Sequence, residues 1–256
     1  MTPLEETLSQ MVNRIVAVIA ENQPTIYLYG SAVTDDFRLG WSDIDILVLI
    51  EQKLSRRQAN ALVGLRQALQ KEHSSPYHCL FEGGILSFAG FMNGSPQRVV
   101  YWGSSGQRVA NRYDFDCFAM AQLLDCGLLL YGKELRGQMR RPSHADLRKG
   151  VARHYAAIRE HAQTTSRNIH SYGWLLDIAR CIYTLHTGEI LAKTAAGEWA
   201  LEQGVCPVPN ALRQAIAIRR EPMKYINDEA VLDAAQQLGP EIQCFAGVLE
   251  QQLNVA

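Results

Sequence analysis

No two of the six cysteines (Cys79, Cys117, Cys126, Cys181, Cys206 and Cys244) form a Cys-x-x-Cys pair. Their scatter excludes a zinc knuckle or redox dithiol and leaves reduced, mostly packed thiols, so the expected compartment is the cytoplasm. No run approaches the roughly 18 apolar residues that a membrane span needs, and no membrane partner is expected. Neither sign of charge dominates: 25 basic against 26 acidic residues give a net charge of −1. The chain has no global field for holding a polyanion, which argues against nucleic acid and for a small or locally held substrate. The opening residues lack the basic character of a signal peptide, carrying Glu5 and Glu6 instead, and are expected to form a helix. Repeats and low-complexity tracts are also missing.

What is present is apolar material: 47% of 256 residues is enough for one large core or two modest ones. Leu8, Met11, Ile15, Val18 and Ile19 recur at helical spacing up to Pro24. "TIYLYG" and "SDIDILVLI" read as strands, with "SAVTDDF" between them able to begin a helix. A helix capped by Ser55 follows, and "YHCLFEGGILSF", bounded by Pro76 and Gly83-Gly84, reads as a third strand. From Pro142-Ser143 onward the pattern is entirely helical, with a stripe of Trp174, Ile178, Cys181 and Leu185 stopped by Gly188. The expected division is 1–141 for a sheet-and-helix domain and 142–256 for an all-α domain.

The second strand poses a chemical problem. Asp43 and Asp45 stand two residues apart in an otherwise apolar run, so their carboxylates project to the same side. Two such charges about 4 Å apart repel by roughly 4 kcal/mol near a protein surface, so the pair either shares a proton or binds a divalent cation. All-oxygen donors favour magnesium or manganese. Gly30-Ser31, at the end of the preceding strand, forms a turn whose backbone N–H groups and hydroxyl suit an anion. Metal-holding acids beside a phosphate cradle make a nucleoside triphosphate site.

Gly30-Ser31 followed by Asp43-Ile44-Asp45 resembles the signature of the polymerase-β-like nucleotidyltransferase superfamily. The segment 172–202, with Arg180, Tyr183, Thr187-Gly188, Lys193, Ala195-Ala196 and Trp199, is similar to the helical domain of aminoglycoside adenylyltransferases, the streptomycin/spectinomycin enzymes especially. "LLLYGKELR", residues 128 to 136, resembles the closing element of their catalytic domain. The resemblance implies an α+β fold: an N-terminal nucleotidyltransferase domain of mixed sheet and helices, then an all-α bundle. It implies ATP as donor, two magnesium ions on Asp43 and Asp45, and the triphosphate on Gly30, Ser31 and Ser42 with Lys193 reaching it from the helical domain. Glu82 would be the general base on an acceptor hydroxyl, and the acceptor a cationic hydroxylated antibiotic.

The acceptor contacts are less defined. The stretch "TTSRNIHSYGW" carries Arg167 and His170 where those enzymes place acids, leaving Asp177 and Glu160 as candidates to hold a cationic drug. Trp102 is a candidate to stack on a sugar or base, or else a packed aromatic. A second reading, a toxin-antitoxin nucleotidyltransferase with a ribonuclease-type Arg-x5-His at Arg180 and His186, meets a geometric objection. Six positions turn a helix by about 600°, so the two side chains do not share a face.

Overall fold

Thr2 starts the first helix through a reciprocal pair of bonds. Its hydroxyl accepts the Glu5 N–H at 3.2 Å, and the Glu5 carboxylate accepts the Thr2 N–H at 2.6 Å. In the computed structural model, which describes residues 2–72, 74–103 and 106–255, this helix is α1 (Pro3–Ile19), and its stripe of Leu8, Met11, Ile15 and Ile19 is buried. The chain divides into two compact units. One comprises the residues up to Asp35, Asp43–Phe115 and Gln122–Arg141; the other comprises Asp36–Ser42, Asp116–Ala121 and everything from Pro142.

The first unit is built on a mixed sheet. Its strands are β1 (Thr25–Tyr29), β2 (Ile44–Ile50), β3 (Phe81–Ser87), β4 (Val99–Gly103), β5 (Gly106–Ala110) and β6 (Leu128–Tyr131), in the order β5-β4-β3-β2-β1-β6. Only β2 and β3 run parallel, and α2 (Arg56–Lys71) makes the crossover that a parallel pair requires. Ser55 caps α2 with Gln58 as its reciprocal partner, as the sequence suggests. The short α3 (Phe88–Met92) follows β3, and α4 (Cys117–Cys126) leads into β6. All of β1 is buried, and so is all of β2 except Asp45.

Three local expectations are corrected. "SAVTDDF" does not begin a helix: Gly30–Val33 is one 3-10 turn, after which the chain leaves at Asp36 to fold with the other unit. β2 starts at Ile44, so Asp43 stands just before the strand. Gly83 and Gly84 lie inside β3 and do not bound it. At Gly83, with φ +151°, a Cβ would come within 1.8 Å of the Ile46 carbonyl oxygen of the parallel neighbour, so only glycine fits.

The second unit packs α5 (His144–His161), α6 (Gly173–Thr187), α7 (Lys193–Glu202), α8 (Pro209–Arg220), α9 (Pro222–Tyr225), α10 (Glu229–Gln236) and α11 (Gly239–Val255). Ser143 caps α5, with Asp146 as its reciprocal partner. Helix α6 is the hub: Leu175, Leu176, Ile178, Ala179, Cys181 and Ile182 are all buried. The segment 36–42 belongs here because Asp36 is buried among helical partners. Arg219 of α8 grips its carboxylate at 2.9 and 3.1 Å, and the Thr194 hydroxyl of α7 donates to it at 2.5 Å. Trp41 adds a stack on His170, with ring centroids 5.0 Å apart. The sheet-and-helix unit followed by helices makes the α+β class plain, although 36–42 and 116–121 precede the expected boundary at Pro142-Ser143.

Candidate active site

Strand pairing lines up three side chains across the sheet. Tyr29 of β1 pairs with Asp45 of β2, and Asp45 pairs with Glu82 of β3. Directly paired residues share a face, so the phenol and the two carboxylates form one row. The parallel pair is closed at its start by the Ile44 N–H donating to the Leu80 carbonyl at 2.8 Å, between the two aspartates. Asp43 is exposed at that end.

Gly30, at φ +72°, lies against this row. A Cβ there would come within 2.1 Å of Asp45 Oδ2, so the carboxylate fills the space a side chain would take. The structure thus brings together Gly30, half-buried Ser31, Asp45 and Glu82, with Asp43 adjoining in sequence. Ser42 is folded with the second unit, where its Oγ accepts the Arg38 N–H at 3.0 Å and its own N–H donates to the Arg38 carbonyl at 2.8 Å.

The residues around the acids show the field they create. Burial pushes the phenols of Tyr29 and Tyr113 well above the usual tyrosine range, and Asp45 and Glu82 push both further up. One cation answers from inside the unit. The guanidinium of buried Arg66, on α2, donates to the carbonyls of His78 at 3.3 Å and Cys79 at 2.6 Å, the turn leading into β3. Burial lowers its pKa, while Cys79, Asp43 and Glu82 favour its charged form. On the other side of Glu82, the Tyr101 hydroxyl donates to Oε1 at 2.7 Å. Tyr29, Arg66, Tyr101 and Tyr113 were all missed in the sequence; the signal for Tyr101 was its place in the unread strand "VVYWG".

Among the described residues, no group of three or more His, Cys, Asp or Glu side chains is arranged to hold a metal. Asp43 and Asp45 remain as a pair of hard oxygen donors. That set fits magnesium, which takes one or two protein carboxylates and completes its octahedron with water and substrate phosphates.

Trp102 is corrected. It is 1% exposed, and its indole N–H donates to the Leu62 carbonyl at 3.1 Å, so it packs between β4 and α2 and offers no ring face to a substrate.

In the second unit, Asp177 lies between Arg180 at 2.9 Å and Lys193 at 3.0 Å. Burial opposes its charge, yet Lys193 and Arg180 hold its carboxyl down at about 2. The Lys193 pKa is lowered, chiefly by burial, although Asp177 opposes the shift. Asp177 is therefore committed to protein cations, and the cluster is cationic on balance. The Arg180 guanidinium also lies over Phe118, 5.4 Å from the ring centroid, and its Nε is buried with no hydrogen-bond partner among the described residues. His186 is engaged elsewhere, with Nε2 3.1 Å from Gln252 Oε1 and its ring edge-on to Trp199. Glu160 is exposed beside His161.

Residues 12–94 match the nucleotidyltransferase domain family, and residues 140–247 match the aminoglycoside adenylyltransferase C-terminal domain. The chain is 25% identical over 187 residues to the spectinomycin 9-adenylyltransferases of Staphylococcus aureus strains Mu50 and N315, covering 69% of this chain and 70% of theirs. Its fold matches a solved spectinomycin adenyltransferase from Enterococcus faecialis, crystallised with ATP and spectinomycin. That likeness has a TM-score of 0.68 at 16% identity and covers 96% of this chain and 99% of the other. No helix among the described residues is long and apolar enough to cross a membrane.

Proposed function

We infer, from the premise that the chain is an aminoglycoside adenylyltransferase-like nucleotidyltransferase, that it transfers AMP from ATP to a hydroxyl of spectinomycin and releases pyrophosphate. The observation that carries this reading is the pairing of Asp45 with Glu82 across β2 and β3, with Gly30 against the Asp45 carboxylate. Magnesium held by Asp43 and Asp45 would offset the phosphate charge that the acids alone repel.

The remaining work falls to the chain. Gly30 leaves the Asp45 carboxylate its place, and the Gly30-Ser31 turn offers its backbone N–H groups and the Ser31 hydroxyl to phosphate oxygens. Glu82 takes the proton of the acceptor hydroxyl as its oxygen bonds the α-phosphorus. The bond from that phosphorus to the bridging oxygen breaks in line, and pyrophosphate departs with the electron pair. Spectinomycin is preferred to streptomycin because both the sequence relatives and the solved relative are spectinomycin enzymes. The commitment of Asp177 to Arg180 and Lys193 also takes that carboxylate away from a more highly charged drug.

The test is expression in a susceptible bacterium, with inhibitory concentrations read for spectinomycin, streptomycin, kanamycin and lincomycin. In parallel, purified protein, ATP and magnesium are assayed for pyrophosphate and for drug heavier by one AMP. Spectinomycin resistance abolished by Glu82→Gln is expected. No shift for any drug, with growth arrest that depends on His186, would overturn the reading in favour of a toxin-like enzyme.

A further inference from the structure

Glu82 has two carboxylate oxygens, and only one can face an incoming hydroxyl at the right angle. The torsion that sets them is soft: the terminal sp³–sp² rotation of a glutamate is broad and nearly two-fold, so strand position alone does not fix which oxygen points where. Three features of β4 and β5 remove that freedom. The Tyr101 hydroxyl donates to Glu82 Oε1 at 2.7 Å. The Tyr101 ring is held in turn by its cross-strand partner Arg108, whose guanidinium carbon lies 4.3 Å from the ring centroid. Gly103, two residues along the same strand, provides the room, since a Cβ there would stand 2.0 Å from the Tyr101 oxygen and 2.7 Å from Glu82 Oε1.

We propose that Tyr101 is the positioning residue of the general base: its hydroxyl claims Oε1 and leaves Oε2 as the oxygen that receives the acceptor's proton. The assignment rests on the adenylyl-transfer reading of the site. Tyr101 touches neither nucleotide nor acceptor in this scheme. It acts through Glu82, by keeping the base in the orientation that the transition state uses. Arg108 serves the same end one step further out, and the chain Arg108, Tyr101, Glu82 runs across β5, β4 and β3 toward Asp45. Misplacing a reacting group by about an ångström costs on the order of 100-fold in rate, so a freed carboxylate is expected to slow transfer without weakening nucleotide binding.

The decisive variant is Tyr101→Phe, which removes one oxygen and keeps the ring on Arg108. It is expected to lower kcat by roughly 10- to 100-fold, with the KM for ATP and the melting temperature close to those of the wild type. In the background of Glu82→Gln it is expected to cost nothing further, because the residue it acts through is already lost. A second arm omits the drug and follows slow AMP release with water as acceptor. Slower release by Tyr101→Phe, in a protein that modifies no drug, would sink the spectinomycin reading and leave the positioning role standing. Wild-type kcat for Tyr101→Phe on either acceptor would overturn the role, as would an undiminished further loss on top of Glu82→Gln. A protein that turns over neither drug nor water would overturn both.

Discussion

Gly30 and Asp45 occupy what would be the same space if residue 30 had a side chain: its Cβ would lie 2.1 Å from Asp45 Oδ2. The apposition explains why a glycine follows β1. The residue must take φ +72° and must also leave a neighbouring carboxylate its place.

Gly30→Ala is therefore expected to push Asp45 off the site. The strained backbone costs about 1–3 kcal/mol of stability. The displaced carboxylate lowers turnover by roughly 100-fold. Thermal melting and pyrophosphate release measure the two effects separately, and wild-type turnover in the variant would refute the apposition.

The Asp177 carboxyl, held at about 2 by Lys193 and Arg180, ties stability to acid. Its folded pKa lies below that of an unfolded aspartate, near 4, so its contribution is complete above about pH 4 and is lost as pH falls through about 2. The gap between the unfolding free energies of the wild type and Asp177→Asn should be roughly 3 kcal/mol at neutral pH and should close toward pH 2. A gap that stays constant with pH would show that the ion pairs contribute nothing.

Asp36 and Arg219 form a buried pair with side chains 5% and 4% exposed. Losing one partner strands the other, at about 3–5 kcal/mol. Arg219→Met alone should be that costly, while Asp36→Asn combined with Arg219→Met should recover part of the loss. Chemical denaturation of the four proteins reads the coupling directly, and additive losses would contradict it.

Trp102→Phe should leave the KM for drug and ATP unchanged, because the indole lies in the core of the first unit. Trp102→Ala should cost about 3–5 kcal/mol through the cavity it opens. A rise in the drug KM for the phenylalanine variant, with stability intact, would restore the ring to the substrate.

Much of this was legible in the chain. Helical periods and the side-chain cap Ser55 are local signals, and local signals survive in one sequence. The pair Asp43 and Asp45 stood out because charge in an apolar strand is costly. What escaped was set by distant contacts. β5 reads "GQRVA", neither apolar nor alternating, and becomes a strand only by pairing with β4. Segment 36–42 looks like an ordinary connection until Arg219, far along the chain, closes on Asp36. Arg66 gave no warning because a lone arginine on a helix usually faces water, and here it points at the carbonyls of His78 and Cys79.

Gly83 sets the reading frame of the sheet. Parallel strands tolerate sliding by a residue when both are smooth and apolar, and a slip of one turns every side chain to the opposite face. Here the Ile46 carbonyl accepts only a residue without a Cβ opposite it. A slip that set Glu82 opposite Ile46 would put a side chain against that carbonyl, and a slip that set Gly84 there would bring Ile85 to a place where any Cβ stands 2.5 Å from the Tyr113 ring. Two residues with no functional group of their own thus decide which two acids meet.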